Sequence, residues 1–302
     1  MIVRVLGSAA GGGVPQWNCA CYHCSEARAG RAPHRTQSGL AVSGDGERWL
    51  LLNCSPDIAQ QIEAFVPLHP RPPRGTPIGG MLFTDANVDH LGGLAVLRQR
   101  GPHSFVLRSS ELVRAIAKTQ PAYAPFALSP HSWLEVPLHG FCPPTAEAND
   151  VVGDALSVRA IPVAGTTPGY DGRRELPGAV VAYEIRDRTN DGRLLFAPVF
   201  AEIGDELREA IAAADLAFLD GTFYYDDEMI AAGLMDKRAR HLGHLPLGGP
   251  DGTLAQLGNT STRIIFTHIN NSNPVLDPDS EEFAMLRASG AAVAYDGMEI
   301  TL

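Results

Sequence analysis

The segment Met81-Leu82-Phe83-Thr84-Asp85-Ala86-Asn87-Val88-Asp89-His90-Leu91-Gly92-Gly93 passes from an apolar run through polar positions into a Gly-Gly pair. A short strand is expected over its start, a polar loop over its middle, and an amphipathic helix from Leu91 to Arg100. Loops at strand ends are where scaffolds carry chemistry. Asp89-His90 sets a carboxylate beside an imidazole in such a loop.

Outward from this segment the same rhythm continues. Leu40-Ala41-Val42 and Trp49-Leu50-Leu51-Leu52 flank Gly44-Asp45-Gly46, a hairpin signal. Ser55 as N-cap and Pro56 at the first position open a helix that runs to about Phe65. Phe105 to Leu107 reads as a strand and Ser110 to Thr119 as a helix. Strands are expected at Ile2 to Leu6, Leu156 to Ile161, Ala179 to Ile185, Arg193 to Ala197, Leu216 to Leu219 and Ile264 to Thr267. Helices are expected near Asp226 to Met235 and at Ser280 to Ser289, then a closing pair of strands, Ala292 to Tyr295 and Met298 to Thr301. Periodicity alone gives a mixed α and β protein. No linker divides the chain, so one domain over 1–302 is expected, the Pro-rich Val66 to Pro77 being a surface loop.

Composition narrows the function class. The 302 residues are 45% hydrophobic and 19% charged, an ordinary globular balance with enough chain for a large core. A formal charge of −10 argues against nucleic acid, whose phosphates need clustered Lys and Arg. No apolar run approaches the roughly 20 residues that span a bilayer, and the start lacks the basic and apolar regions of a secretory signal. A cytoplasmic protein without membrane partners is expected, with its thiols reduced.

The five cysteines are an odd number, and three fall in Cys19-Ala20-Cys21-Tyr22-His23-Cys24. Three thiolates in one tight loop suit a soft tetrahedral ion, zinc above all. The zinc loop is expected at about 17–25, with a fourth ligand from elsewhere because His23 lies between two cysteines. Cys54 and Cys142 are isolated and read as ordinary thiols. Gly7-Ser8-Ala9-Ala10-Gly11-Gly12-Gly13 departs from the dinucleotide pattern, since Pro15 and the cysteines follow where a helix should open. A turn that lets backbone approach the metal loop is the better reading.

Asp85, Asn87, Asp89 and His90 align with the His-x-His-x-Asp-His motif of the metallo-β-lactamase superfamily, and the chain resembles that superfamily. The resemblance implies an α/β fold, a four-layer αββα sandwich with mixed sheets and its site along one sheet edge. It also implies what has been lost. The first two histidines are Asp85 and Asn87, the loop after Val158–Val163 reads Ala164-Gly165-Thr166-Thr167 without a histidine, and Val199 stands where a bridging aspartate belongs, with Glu202 nearby but displaced. Asp89, His90 and His268 of the second site remain. Two histidines and one carboxylate form the ligand set of mononuclear non-haem iron(II) oxygenases, whereas a binuclear hydrolase needs an ion on each side of its hydroxide.

Asp220, at a strand end, and His244 match the acid and histidine that phosphodiesterases of the superfamily pair for proton transfer; His241 is an alternative to His244. More narrowly, Gly7–Cys19, Arg35–Ser38, Asn53–Asp57, Asp220–Thr222, Asp226–Met229, His268-Ile269-Asn270-Asn271-Ser272-Asn273-Pro274 and Asp296–Met298 are similar to the family of coenzyme PQQ synthesis B proteins. That resemblance implies a role in pyrroloquinoline quinone (PQQ) biosynthesis: hydroxylation, by Fe²⁺ and O₂, of the tyrosine ring of a peptide-derived, cross-linked Glu-Tyr intermediate, with Asp220 and His244 moving protons. Other divalent metals can replace the iron. The alternative is a carrier that binds finished PQQ and releases it. By analogy with the related carbon–phosphorus lyase phosphodiesterase, the fourth zinc position falls on Asn271, a water or another histidine being the alternatives. Cationic residues, Arg35 among the candidates, should meet the substrate's carboxylates. A homodimer and contacts with other PQQ biosynthesis proteins are both open at this stage.

Overall fold

The computed structural model describes residues 1–71, 73–98, 106–123, 126, 133–145, 155–258 and 260–302. Phe105 and the 99–100 end of the helix expected from Leu91 lie outside them. Among the described residues fourteen strands form two sheets of seven. One contains β1 (Ile2–Gly7), β2 (Gly39–Ser43), β3 (Trp49–Leu52), β4 (Ile78–Leu82), β5 (Val106–Ser109) and β6 (Trp133–Glu135). The other contains β7 (Phe141–Cys142), β8 (Leu156–Pro162), β9 (Val181–Asp187), β10 (Arg193–Ala197), β11 (Leu216–Asp220), β12 (Arg263–Thr267) and β13 (Ala292–Val293). β14 (Glu299–Thr301) returns to the first sheet beside β1. The strand orders are 14-1-2-3-4-5-6 and 13-12-11-10-9-8-7.

Each sheet follows one plan. β1, β2 and β3 pair antiparallel, then β3 to β6 run parallel. Likewise β7 to β10 are antiparallel and β10 to β13 parallel. The β2–β3 connection is the expected hairpin: Asp45 Oδ1 accepts from the N–H groups of Glu47 (2.8 Å) and Arg48 (3.0 Å), and Gly46 takes φ +77°.

Four layers follow from side-chain alternation. Leu50 and Leu52 join Val3, Val42, Tyr183, Ile185, Phe196 and Phe218 between the sheets. Their neighbours Trp49 and Leu51 point the other way, against Ile58, Leu94, Val113 and Ile116 of the covering helices. On the far side Leu195, Ala217 and Phe266 meet Leu207, Ile211 and Leu286. The expected αββα sandwich with mixed sheets is therefore the observed fold. Among the described residues no helix is long and apolar enough to cross a membrane.

Several boundaries differ from expectation. Asp89 and His90 sit inside a helical turn, Val88–Leu91, and a second turn, Gly93–Val96, follows. The helix after Cys54 spans Ile58–Glu63 with Asp57 at its N-cap, because Ser55 Oγ is used in the preceding turn by the N–H of Asp57. Only Glu228–Ala231 is helical in the 226–235 segment. Helix Asp205–Ala213 was not expected at all; it buries Leu207, Ala210 and Ile211 on one face.

Gly93 lets the two turns after β4 pack against the chain behind β3. A Cβ there would lie 2.3 Å from the Ser55 carbonyl and 2.5 Å from Cys54 Sγ. Gly93→Ala is expected to cost about 1–3 kcal/mol through overpacking, read as a lower urea midpoint. An unchanged midpoint would mean that the Cys54–Ser55 turn yields freely.

Candidate metal centre

The parallel strands carry the chemistry at their carboxyl ends, the usual position in sheets of this kind. β4 runs into Thr84–His90, β11 ends at Asp220, and β12 ends just before His268. These three exits face one cavity of about 350 Å³, whose floor is Asp89, His90, His244 and His268. Val180, Val199, Phe223, Met229, Met235 and Leu242 give it an apolar wall.

Asp89, His90 and His268 each aim one ligand atom at the same point, all within 4.8 Å of one another. Asp89 Oδ2 lies 3.2 Å from His268 Nε2 and 3.8 Å from His90 Nε2. The groups behind the rings fix which nitrogen presents a lone pair. His90 Nδ1 is 2.6 Å from Asp85 Oδ2, a buried carboxylate that only accepts, so Nδ1 carries a hydrogen and Nε2 is the nitrogen turned inward. Thr222 Oγ1 donates to Asp220 Oδ1 at 2.6 Å and therefore accepts from His268 Nδ1 at 2.8 Å, which turns His268 Nε2 toward Asp89 Oδ2, 3.2 Å away. His90 Nε2 is buried and finds no hydrogen-bond partner among the described residues. A buried imidazole nitrogen without a partner, aimed at a carboxylate and a second imidazole, fits a cation at that point.

The electrostatics agree. Burial opposes charge on His90, but Asp85 and then Asp89 outweigh it and lift its pKa to about 9. Burial would raise Asp89 too, yet His90 and His268 hold it far below the usual carboxylate range. His268 is lowered, burial being the main cause. The carboxylates thus favour positive charge in the pocket.

Asp220 serves a second histidine. Its Oδ2 accepts from His244 Nδ1 at 2.7 Å and from the N–H of Phe200 at 3.2 Å, while Oδ1 accepts from the N–H of Thr222 at 3.0 Å as well as from its hydroxyl. Burial pushes its pKa up, but His244 foremost and His268 outweigh burial and depress it. Helix Ala239–Leu242 ends at Gly243, whose φ of +92° turns the chain so that His244 faces back to Asp220. His244 stacks on His268 at 5.5 Å between centroids. His241 is exposed and lines the neighbouring cavity with Glu202, so the geometry selects His244 and leaves Glu202 apart from the centre.

The positions of the superfamily's first ion are indeed altered. Thr166, Thr167 and Val199 line the cavity, and Asp85 Oδ1 is occupied by the N–H and side-chain amide of Asn87 at 2.9 and 2.8 Å. Sequence reading treats Asp85 only as a lost histidine and Thr222 only as part of a motif; in the structure they hold the rings of His90 and His268. The signal for Asp85 was a carboxylate at the strand end, five residues before a histidine. Arg35 is a correction. Its guanidinium is buried, donates to Ser8 Oγ and to the Ala294 carbonyl, and is absent from the cavity. Its charge faces Asp296 instead of a ligand.

The cysteine loop lies against the same strand exit. The sulfurs of Cys19, Cys21 and Cys24 are within 4.8 Å of one another. Asn271, three residues after His268, places its side-chain amide 3.2 Å from Cys24 Sγ and 3.7 Å from Cys21 Sγ. His23 turns away, its Nδ1 on the Asn271 carbonyl at 2.9 Å. Burial pushes the Cys21 thiol up to about 12, whereas at Cys19 hydrogen bonds, the N–H of Cys21 first, overcome burial and lower it. Without a cation, burial thus favours the thiol form of Cys21. Cys54 is buried with its pKa raised by burial, and Cys142 is likewise apart from the cluster. The glycine turn approaches the other centre: a Cβ on Gly11 would lie 3.1 Å from Asp89 Oδ2.

Residues 48–269 match the model of the beta-lactamase superfamily domain. Over the full length of both chains, the sequence is 42% identical to the coenzyme PQQ synthesis protein B of Azoarcus sp. (strain BH72). It is 38% identical to that of Ruegeria pomeroyi, again across both chains. The crystal structure of zinc-bound PqqB from Methylobacterium extorquens superposes with a TM-score of 0.91 at 38% identity, all of both chains covered. A diphosphatase of the PhnP family shares the fold at 20% identity, with a TM-score of 0.68 over 100% of this chain and 97% of its own.

Proposed function

The chain belongs to the coenzyme PQQ synthesis protein B family of the beta-lactamase superfamily, and we propose that its step in PQQ biosynthesis is hydroxylation of the tyrosine ring of the cross-linked Glu-Tyr intermediate. Asp89, His90 and His268 would hold Fe²⁺, and Cys19, Cys21 and Cys24, completed at or near Asn271, would hold Zn²⁺. The observation that carries this reading is the convergence of His90 and His268 with the Asp89 carboxylate, their ligand atoms within 4.8 Å of one another, at the floor of a partly apolar cavity. A zinc-bound relative supports a divalent ion in the fold, and zinc generally outranks ferrous iron in affinity, so the metal loaded depends on supply.

Ferrous iron held by Asp89, His90 and His268 would supply the O₂ chemistry. The protein's own residues do the rest. The apolar wall accepts an aromatic ring and excludes bulk water from the metal floor. With its Nδ1–H fixed by Asp220, His244 presents Nε2 as a base able to take a proton from the substrate phenol. Asp220, held ionised, stabilises the imidazolium that forms. Hydroxylation would place one oxygen of O₂ on the ring and release the other as water, with two electrons drawn from an added reductant and two protons from the reductant or solvent.

The test is anaerobic reconstitution with Fe²⁺, followed by addition of the Glu-Tyr-derived diamino acid, a reductant and isotope-labelled O₂. The expected result is a product carrying one labelled oxygen with iron, and none with zinc alone. Tight PQQ binding without labelled product under any metal would overturn the hydroxylase reading in favour of a carrier.

A further inference from the structure

We propose that Arg173 forms an anion subsite at the mouth of the cavity and receives a carboxylate of the aromatic ligand; this rests on the reading above, that the ligand is a PQQ precursor or PQQ. Residues 165–175 form a strap over one side of the cavity. Thr166 and Glu175 pair antiparallel, the N–H of Thr167 donates to the Arg174 carbonyl at 2.9 Å, and the N–H of Arg174 donates to Thr167 Oγ1 at 2.9 Å. The Tyr170 hydroxyl donates to the carbonyl of Ala86, which ties the strap to the loop that carries Asp89 and His90. The strap is therefore positioned relative to the metal floor rather than hanging free.

Its two adjacent arginines are used differently. Arg174 is held by Asp171 at 2.5 Å. Arg173 makes no side-chain hydrogen bond or ion pair among the described residues, yet it lines the cavity. Its φ is +51°, next to Gly172 at +86°. A non-glycine residue in that region is disfavoured, and such strain is a recurring companion of binding sites.

Arg173 is also the only Lys or Arg among the described lining residues. Asp89 lies on the floor, and the whole chain carries a formal charge of −10. A dicarboxylate or tricarboxylate entering this field is repelled unless a local cation meets it. The arrangement is a metal floor, an apolar wall and one guanidinium at the rim. It matches a flat aromatic ring whose carboxylate points outward, and guanidinium is suited to bidentate contact with that group.

The experiment compares binding of PQQ and its trimethyl ester to zinc-loaded wild type, Arg173→Gln, Arg173→Lys and Arg174→Gln, with melting temperature and zinc content as folding controls. Arg173→Gln should weaken PQQ binding on the order of tenfold and leave the ester unchanged; Arg173→Lys should recover part of the loss, and Arg174→Gln should bind PQQ as wild type does. Equal PQQ binding by wild type and Arg173→Gln, or equal weakening by both glutamine variants, would overturn the subsite while leaving the proposed function standing. Failure of wild type to bind PQQ would overturn the subsite as well, and would leave the hydroxylase reading to the labelled-oxygen test.

Discussion

His90→Ala and His268→Ala are expected to abolish iron-dependent hydroxylation alike, while destabilising the protein to different degrees. Each removes one of the three proposed ligands, so the loss should exceed the roughly 10- to 100-fold cost of losing a group that merely orients a ligand. Their folding costs diverge because the partners left behind differ. Removing His90 strands Asp85, a carboxylate with no exposed surface, without the imidazole that faces it at 2.6 Å. Breaking a buried charged pair costs about 3–5 kcal/mol. Removing His268 frees the Thr222 hydroxyl, which keeps its bond to Asp220, and takes one partner from Asp89, which keeps His90 Nε2 at 3.8 Å; an unsatisfied group that retains another partner costs about 1–3 kcal/mol. Bound iron, labelled product and melting temperature should therefore be measured together. If both variants lose iron and product but His90→Ala melts lower, the assignment of ligands and of Asp85 as orienting group stands. Full iron occupancy in either variant would remove that residue from the ligand set.

How much of this centre was legible follows from where each residue sits. Asp89, His90 and His268 are recognisable because each ends or follows a strand and belongs to a short motif with few competing candidates. The cysteine loop is recognisable for the same reason: three soft ligands within six positions are a local feature. Asp85 and Thr222 act through tertiary geometry. A carboxylate five residues from a histidine, or a threonine two residues past Asp220, becomes an orienting group only after the strand exits are brought together. Arg35 shows the opposite failure. An arginine in a family motif invites a role in substrate binding, yet its hydrogen bonds to Ser8 and the Ala294 carbonyl, with Asp296 facing its charge, make it part of the scaffold. Arg173, in no quoted motif, is the one at the cavity. Sheets were easier to read than helices. Apolar β-branched and leucine runs mark buried strands strongly, while Asp205–Ala213 presents only Leu207, Ala210 and Ile211 at helical spacing among alanines and charges.

Asp220→Asn should lower turnover by roughly 10²- to 10⁴-fold, the usual contribution of a positioned acid or base. The reason lies in counting donors. The carboxylate accepts four hydrogen bonds, from the N–H of Phe200 and His244 Nδ1 at Oδ2 and from the N–H and hydroxyl of Thr222 at Oδ1. An amide keeps one acceptor and gains a donor. If its oxygen stays on Thr222, its NH₂ faces His244, which must then carry its proton on Nε2 and loses the bare nitrogen needed as a base. If the amide turns over, Thr222 must accept from it and donate to His268, so His268 moves its proton to Nε2 and is lost as a ligand. The two cases separate by metal content: iron retained with turnover lost identifies the first, iron lost identifies the second. Asp220 is held below its ordinary pKa, so the wild-type carboxylate is ionised throughout the neutral range and the variant's defect should not be relieved by raising pH. Wild-type turnover in Asp220→Asn at any pH would exclude a working His244–Asp220 pair. It would also break the link that joins the proposed base to the metal floor through Thr222.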